Sequence, residues 1–412
     1  MSLLKIFNGR VITPFGIIEN GCVLVRDGKI VSVSENGDDI TADETIDSQK
    51  QYISPGFIDI HVHGGGGHDF MDGEEEGFLA IASTHARYGT TSMMPTTLSC
   101  EQSELFQTLE AYKRADMRNT HGAQFVGMHI EGPYFAMNQR GAQDPRFIRN
   151  PDPSEYKKII AATNVIKRWS AAPELEGALE FATYLREHGI LPALAHTDAI
   201  YEEVVKGFEH GYILATHLYS AMSGVTRRNA YRYAGVVESA FLIDDMYVEV
   251  IADGCHLPAP LLKLIYKIKG AEKIALITDA MRAAAMPPGE SLLGSKINGL
   301  KVIVEDGVAK LPDRTSFAGS VATADRLVRN MIQLAEVPIT EAVKMITETP
   351  AAILNLSDRK GSLVAGKDAD IVLFDNNINV STTIVNGRII YRKDEDSTQN
   401  EKNDHERSAK MV

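Results

Sequence analysis

Cysteine is scarce in this chain of 412 residues, where only Cys22, Cys100 and Cys255 occur, widely spaced. Three separated thiols fit neither a disulfide framework nor a thiolate zinc cluster, and they favour a reducing compartment. Long apolar runs are also missing, since none approaches the roughly 20 residues of a membrane span. The first ten residues lack the apolar stretch of a secretory signal. We therefore expect a soluble, cytoplasmic protein with no membrane partner.

Positive charge is in short supply as well. The chain carries 55 Asp and Glu residues against 42 Lys and Arg residues, which gives a net charge of −13. Because nucleic-acid binding needs a positive surface for the phosphates, this balance excludes a general nucleic-acid partner. An anionic small molecule is not excluded, since a local cationic cluster would suffice.

The length accommodates one barrel of ~250 residues and an accessory domain.

Both ends of the chain show short apolar runs punctuated by turns. The turn signals are Asn8-Gly9 and Asp27-Gly28 near the N-terminus and Asn386-Gly387 near the other end. Neither segment can close a core alone, and chain termini often lie close together. We predict that residues 1–54 and 357–395 form one small β-sandwich domain, followed by a disordered polar tail at residues 396–412.

Eight short apolar runs occupy the middle of the chain, separated by stretches long enough for helices. They are almost continuously apolar, as expected for parallel strands whose outer face is covered by helices. This α/β pattern predicts that residues 55–356 form a (β/α)₈ TIM barrel. The predicted strands lie at residues 57–63, 91–97, 124–131, 166–173, 191–197, 212–220, 247–253 and 274–279.

Polar side chains stand at the ends of these runs. In a (β/α)₈ barrel the C-terminal strand ends meet on one face, so residues far apart in sequence can share a pocket there. His61 and His63 end the first run, and residues two apart on a strand point to the same side, which lets two imidazoles face one ion. The glycines at residues 64–67 let the backbone pass close to a ligand. The alternative is a pair of structural histidines before a flexible turn.

Glu131, His196 and His217 end three further runs and complete a nitrogen and oxygen ligand set. Such a set suits Zn²⁺, or alternatively Fe²⁺, Mn²⁺ or Co²⁺. Taken singly, either histidine could instead be a hydrogen-bonded structural residue. Asp279 ends the eighth run, where a carboxylate beside a metal-activated water can accept a proton and later donate it. Its alternative role is to cap the following helix.

The order and spacing of these motifs resemble those of N-acetylglucosamine-6-phosphate deacetylases of the amidohydrolase superfamily. The resemblance runs through nearly the whole chain up to the polar tail. Each motif is modest alone, but their order is specific. The motifs are Pro55-Gly56-Phe57-Ile58-Asp59-Ile60-His61-Val62-His63-Gly64, Gly127-Met128-His129-Ile130-Glu131-Gly132-Pro133, Ala195-His196-Thr197, Thr216-His217-Leu218-Tyr219-Ser220-Ala221-Met222, Ala252-Asp253-Gly254-Cys255-His256, Thr278-Asp279-Ala280 and Ala318-Gly319-Ser320.

The resemblance implies roles for the strand-end residues. Asp279 is implied as the catalytic base and acid. One or two divalent ions per subunit, most simply Zn²⁺, are implied as cofactors. The implied ligands are Glu131, His196 and His217 for the principal ion and His61 and His63 for a second ion.

Substrate-binding residues are implied in the same way. His256 would contact the substrate and polarise its acetyl carbonyl. The Ser220-Ala221 stretch, with Arg227 or Arg228 on the next loop, would hold a sugar phosphate through charge-assisted hydrogen bonds. In the family this arginine can reach a neighbouring subunit, so a homodimer is implied. A solvated basic loop is the alternative for the two arginines.

The sequence departs from the family pattern in this substrate half. Asn is usual where Ser220 stands, and His is common where Gln143 stands. The loop at residues 226–233 also differs in length and content. We therefore expect Gln143 in the substrate site, and the sugar to be recognised somewhat differently.

The implied activity is hydrolysis of the N-acetyl group of N-acetylglucosamine 6-phosphate, which yields glucosamine 6-phosphate and acetate. Alternatives are related amidohydrolases that act on N-acetylgalactosamine 6-phosphate, an unphosphorylated N-acetyl sugar or an N-acyl amino acid. Many relatives with two metals use a carboxylated lysine, but no lysine ends a predicted barrel strand. A non-enzymatic sugar-phosphate sensor is the rival from another class, and it would have little reason to keep Asp279 with all five ligands.

Overall fold

Two systems of β-strands divide the computed structural model, which describes residues 2–37 and 40–393. The predicted disordered tail at residues 396–412 lies outside the described residues. The strands are β1 (Leu3–Thr13), β2 (Gly16–Arg26), β3 (Lys29–Glu35), β4 (Glu44–Asp47), β5 (Tyr52–Pro55), β6 (Phe57–Val62), β7 (Gly64–Gly65), β8 (His68–Asp69), β9 (Thr90–Pro95), β10 (Gln124–Phe125), β11 (Met128–Glu131), β12 (Ile166–Ala171), β13 (Leu191–Leu194), β14 (Leu214–Ala215), β15 (Thr226–Arg228), β16 (Tyr231–Tyr233), β17 (Tyr247–Val250), β18 (Ile274–Leu276), β19 (Gly289–Leu293), β20 (Leu300–Glu305), β21 (Val308–Lys310), β22 (Ile371–Phe374), β23 (Val380–Val385) and β24 (Arg388–Arg392).

Most helices lie between the strands of the middle segment, and α3 shows how one begins. Asp152 accepts a hydrogen bond from the backbone N–H of Ser154, and Pro153 occupies the first helical position. The helices are α1 (Glu75–Ala86), α2 (Gln102–Arg118), α3 (Pro153–Ala162), α4 (Ala178–Glu187), α5 (Tyr201–His210), α6 (Val236–Leu242), α7 (Ala259–Lys269), α8 (Ala324–Gln333), α9 (Ile339–Lys344) and α10 (Glu348–Ile353), with 3₁₀ turns at Phe70–Asp72, Met137–Gln139 and Ala271–Lys273. Among the described residues, no helix combines the length and apolar character needed to cross a membrane.

The two ends of the chain share one sheet, which we call the terminal sheet. Its strand order is β24-β23-β22-β5-β1-β2-β3, with β4 also paired to β1. The N–H of Ile30 in β3 donates to the carbonyl of Lys367, just before β22, at 2.9 Å. This contact between the edge strand β3 and the segment before β22 shows that the sheet curls. Ile6, Ile53 and Ile371 belong to the buried apolar core that it encloses. The prediction that both ends combine is confirmed, while the boundaries at residues 54 and 357 stay a prediction.

The middle segment forms the predicted barrel. The barrel strands pair in parallel, and each matches one of the predicted runs, except that β9 begins one residue before its run. They are β6, β9, β10 with β11, β12, β13, β14, β17 and β18. Parallel bridges from Thr96 to His129 and from Val62 to Ala280 join the two arcs, so the barrel closes. Every residue of β6 is buried, as expected for a strand between the barrel interior and the helices. The α/β fold class is therefore confirmed.

Two insertions follow the strand ends. The hairpin β15–β16 comes after β14, and the three-stranded sheet β19–β21 comes after β18. Leu293, Val302 and Val304 of this sheet pack on Met281, beside the end of β18. The insertions therefore lie on the face of the barrel where the C-terminal strand ends meet.

Candidate active site

Six side chains that the strand-end argument selected come together at the C-terminal face of the barrel. Each is carried by the end of a barrel strand or by the residues directly after it. They form two groups whose ligand atoms lie within 4.8 Å of one another. The groups are Glu131 with His196 and His217, and His61 with His63 and Asp279.

Glu131 is the centre of the first group. Its Oε1 lies 3.3 Å from Nε2 of His196 and 3.1 Å from Nε2 of His217. The same oxygen is 3.5 Å from Nε2 of His61, and Oε2 is 3.4 Å from Nε2 of His63. Glu131 therefore lies between the two groups.

Asp279 closes the second group. Its Oδ1 lies 3.1 Å from Nε2 of His63 and 3.5 Å from Nε2 of His61, and the two ring nitrogens are 3.2 Å apart. The side chain of Asp279 keeps 12% exposure, so the carboxylate can reach a molecule in the cavity while it contacts the histidines.

An unusual backbone conformation aims three of these residues inward. His196, His217 and Asp279 have φ values of 47°, 34° and 47°, in the left-handed region that residues other than glycine rarely occupy. Such strain persists only where the surrounding structure holds it, and it is common at active sites. The three strand ends thus turn sharply where their side chains enter the cluster.

The histidines are oriented by acceptors on the far side of each ring. Nδ1 of His196 lies 2.8 Å from the carbonyl of Gln139, and Nδ1 of His217 lies 3.2 Å from the carbonyl of Ser220. Because a carbonyl only accepts, each Nδ1 carries a proton, and Nε2 is the ring nitrogen that faces Glu131. Such outer acceptors are typical of metal-binding histidines, since they leave Nε2 as the ligand atom. The residues therefore fit a divalent metal such as zinc.

The charges of the cluster support the same conclusion. Burial alone would raise the pKa of Glu131, but the neighbouring imidazoles, His61 first and then His196 and His217 through hydrogen bonds, hold it well below its usual range. Burial also opposes the charged form of His63, yet the hydrogen bond to Asp279 and the charge of Glu131 raise the pKa of His63 to about 9. The buried carboxylates thus draw positive charge into the cluster, which a metal cation would supply.

A cavity of 490 Å³ opens above the cluster. The structure brings most of the predicted substrate residues to its wall, namely Gln143, Ser220, Ala221 and His256. Arg227 is exposed on β15 and lies outside this wall, while the side chain of Arg228 is outside what the structure describes. The assignment of either arginine to a phosphate stays a prediction.

His256 and Gln143 are held by specific partners. Nδ1 of His256 lies 2.8 Å from Oδ2 of Asp253, and its ring packs against Phe317 with centroids 4.7 Å apart. Nε2 of Gln143 donates to Oε2 of Glu131 at 2.9 Å. Gln143 therefore supports the ligand cluster as well as lining the cavity.

Other residues of the wall escaped the sequence argument. Arg140 and Phe317 line the cavity, and the loop that carries Arg140 is anchored through the carbonyl of Gln139. Neither residue ends a strand, so the strand-end argument could not select them. The glycine after Arg140 was a weak signal, because glycine lets the backbone pass close to a ligand. Asp253 does end a predicted strand, and its position could have indicated its bond to His256.

A closed (β/α)₈ barrel with a buried histidine and carboxylate cluster at its C-terminal face defines a metal-dependent hydrolase. The chain belongs to the amidohydrolase family, whose model matches residues 52–390. It is 34% identical over 394 residues to the N-acetylglucosamine-6-phosphate deacetylase of Lysinibacillus sphaericus, covering 94% of this chain and 97% of that relative. It is 31% identical over 381 residues to the N-acetylgalactosamine-6-phosphate deacetylase of Escherichia coli O157:H7, covering 92% and 97%.

A solved structure extends the similarity to the fold. It is an aspartate-to-alanine variant of N-acetyl-D-glucosamine-6-phosphate deacetylase from Mycobacterium smegmatis in complex with N-acetyl-D-glucosamine-6-phosphate. The TM-score is 0.85 at 27% identity, with 94% of this chain and 99% of that chain covered. The likeness therefore includes both the barrel and the terminal sheet.

Proposed function

We propose that this enzyme hydrolyses the N-acetyl group of N-acetylglucosamine 6-phosphate and releases glucosamine 6-phosphate and acetate. The observation that carries the proposal is the convergence of Asp279, His256 and the ligand cluster on one cavity. The similarity to deacetylases over nearly the whole chain supports the choice of an N-acetyl amino sugar.

The ligand cluster would hold one or two divalent ions. Glu131, His196 and His217 would bind the principal ion, and His61 and His63 a second ion, with Glu131 between them. Nitrogen and oxygen ligands favour Zn²⁺, with Fe²⁺, Mn²⁺ or Co²⁺ as alternatives. A bound metal of this kind lowers the pKa of water and polarises a carbonyl.

Asp279 would move the protons. Its carboxylate accepts a proton from the attacking water, whose oxygen bonds to the acetyl carbon. It then donates that proton to the sugar nitrogen as the carbon–nitrogen bond breaks. Hydrogen bonding and the nearby imidazoles outweigh burial and hold the pKa of Asp279 below its ordinary value, so the carboxylate is ready to accept.

His256 would polarise the acetyl carbonyl. Asp253 holds its Nδ1, and Nε2 would donate to the carbonyl oxygen, where negative charge develops. Hydrogen bonding from His256 outweighs burial and holds the pKa of Asp253 below its ordinary value, so that carboxylate stays charged beside the ring.

The sugar phosphate would bind in the same cavity. Ser220 and Ala221 line its wall, and Arg140 is a cation of the same wall. Arg227 or Arg228 on the exposed hairpin β15–β16 would contribute from a neighbouring subunit in a homodimer. Such a substrate is consistent with a cytoplasmic enzyme.

A panel of substrates tests this proposal. Acetate release would be measured with N-acetylglucosamine, its 6-phosphate, N-acetylgalactosamine 6-phosphate and an N-acetyl amino acid, alongside metal analysis. We expect the highest kcat/KM with N-acetylglucosamine 6-phosphate. The galactosamine phosphate is the second candidate because of the relative from Escherichia coli O157:H7. A metal-loaded protein that turned over none of the N-acetyl sugars would rule the proposal out.

A further inference from the structure

A buried ion pair lies inside the barrel beneath the ligand cluster. Arg168 of β12 and Glu249 of β17 have no exposed side-chain surface, and the guanidinium donates to both oxygens of the carboxylate, with Nη2 3.0 Å from Oε2. Barrel interiors are ordinarily filled by branched apolar side chains. Because a buried ion pair stabilises a fold little more than apolar residues of the same volume, stability does not account for this one.

The carboxylate of this pair contacts one histidine from each ligand group. Oε2 of Glu249 lies 3.3 Å from Nδ1 of His61 and accepts the backbone N–H of His217, also at 3.3 Å. Since an ionised carboxylate only accepts, Nδ1 of His61 carries the proton. The unprotonated Nε2 of His61 then faces Glu131 and Asp279, as a metal ligand must.

The guanidinium also forms hydrogen bonds to the residues directly before these two histidines. Nη1 of Arg168 donates to the carbonyl of Ile60, directly before His61, at 3.2 Å. Nη2 donates to Oγ1 of Thr216, directly before His217, at 2.7 Å. His217 has a left-handed backbone that its surroundings must hold in place. The ion pair thus fixes both positions at once.

We propose that Arg168 and Glu249 are positioning residues that set the tautomer of His61 and couple the two ligand groups. The inference rests on the metal-binding part of the proposed function and not on the identity of the substrate. Without the carboxylate, His61 loses its Nδ1 acceptor and can turn or carry its proton on Nε2. The group of His61, His63 and Asp279 then loses metal affinity first.

Metal binding to the metal-free protein tests this role. Zn²⁺ would be titrated at buffered free concentrations, and the absorption of bound Co²⁺ would report the coordination. We expect Glu249→Leu to raise the Kd of the ion held by His61 about 10- to 100-fold, the usual effect of losing an outer partner of a metal ligand. Glu249→Gln keeps an oxygen that can accept from Nδ1, so its loss should be smaller.

A double variant separates positioning from folding. Arg168→Met combined with Glu249→Leu removes both charges of the pair, so the double variant should fold even if Glu249→Leu alone does not, because that single variant leaves a buried guanidinium unpaired. Because His61 still lacks its acceptor, the double variant should show the same loss of metal affinity.

The matched control is Asp370→Asn, which breaks a buried ion pair with Lys360 where the terminal sheet meets the barrel, away from the ligand cluster. It should keep every ion at wild-type affinity even where it lowers stability. Unchanged metal affinity in the double variant, or an equal loss in Asp370→Asn, would overturn the positioning role. A wild-type protein that bound no metal would instead overturn the proposed function itself.

Discussion

Gln143 donates from Nε2 to Oε2 of Glu131 at 2.9 Å, while Oε1 of the same carboxylate faces His196 and His217. The N–H of Ser99 fixes the amide by donating to Oε1 of Gln143 at 2.8 Å. This hydrogen bond keeps Glu131 turned toward the histidines. We expect Gln143→Ala to lower kcat/KM about 10- to 100-fold, the range for losing a hydrogen bond to a charged group. Steady-state kinetics at saturating metal would measure this loss of kcat/KM.

Gln139→Ala is the matched control. The side chain of Gln139 lies in the same loop but donates to Asp198 at 2.6 Å, whereas its backbone carbonyl, which holds His196, is kept by the variant. It should retain most of the activity. Equal losses in the two variants would show that the loop, and not the bond to Glu131, is responsible.

Asp279→Asn tests the proton carrier. The amide is close to the carboxylate in shape but cannot accept the proton, so kcat should fall by about 10²- to 10⁴-fold. The ion held by Glu131, His196 and His217 should be retained, and the thermal midpoint should change little. Asp198→Asn replaces an aspartate after another barrel strand and serves as the control. Full activity in Asp279→Asn would remove this residue from the mechanism.

His85 predicts a loss of stability in acid. Its ring is buried, with Nε2 2.9 Å from the carbonyl of Gly64, and burial lowers its pKa below the ordinary 6.5. Below that pH the unfolded chain takes up a proton at His85 that the folded chain resists, so stability must decrease as the pH falls. His85→Gln keeps a donor but cannot titrate.

Urea unfolding at pH 7.5 and at pH 5 measures this effect. The free energy of unfolding should fall less between the two pH values in His85→Gln than in the wild type. The exposed His121 supplies the control variant His121→Gln, which should follow the wild type. The same acid loss in all three proteins would contradict the assignment to His85.

Lys360 joins the terminal sheet to the barrel. Its fully buried Nζ donates to Asp370 and, at 2.7 Å, to Oε1 of Gln124 in β10. Lys360→Met leaves the carboxylate buried without its cation, which should lower the free energy of unfolding by about 3–5 kcal/mol. The exposed pair of Lys344 with Glu272 gives a control, since Lys344→Met should cost about 0–1 kcal/mol. Chemical denaturation would compare the free energies of unfolding of the two variants with that of the wild type.

Arg140 should recognise the phosphate. It lies on the cavity wall, and within the described part of the chain its Nη1 makes only long contacts of 3.4 and 3.5 Å with two backbone carbonyls, so the guanidinium can turn to an anion. Arg140→Ala should raise KM for the phosphorylated sugar about 10- to 100-fold, through the loss of charge-assisted hydrogen bonds. The KM for the unphosphorylated sugar should stay the same.

Three further variants complete that comparison. Arg227→Ala and Arg228→Ala test the hairpin arginines in the same assay. Arg146→Ala is the control, because that exposed side chain is paired with Asp144. A preference for phosphate that survived in all of the variants would remove these arginines from substrate binding.

The ligand cluster could be predicted because its members end apolar runs. Strand alternation places His61 and His63 on one side, and barrel closure brings Glu131 and Asp279 to the same face. Both steps follow from local patterns and one general rule of the fold. Sequence alone therefore predicted which side chains gather at this face, while their roles stay a prediction.

The supporting contacts could not be predicted in this way. The carbonyl of Gln139 holds His196, but a backbone acceptor leaves no trace in residue identity. Arg168 and Glu249 were visible as charges inside apolar runs, yet their pairing depends on how distant strands meet across the barrel. Contacts of this kind are set by tertiary geometry. The positions of the loop that carries Arg140 and of the two insertions are set in the same way.

The terminal sheet has a consequence for synthesis on the ribosome. β5 pairs with β22, which lies more than 300 residues later in the chain. Until β22 emerges, β5 has an unsatisfied edge, and such edges invite pairing with other chains. The barrel can assemble during this interval, but the N-terminal strands must wait for the last part of the chain. Nascent chains stopped short of β22 therefore carry an exposed strand edge that the complete protein covers.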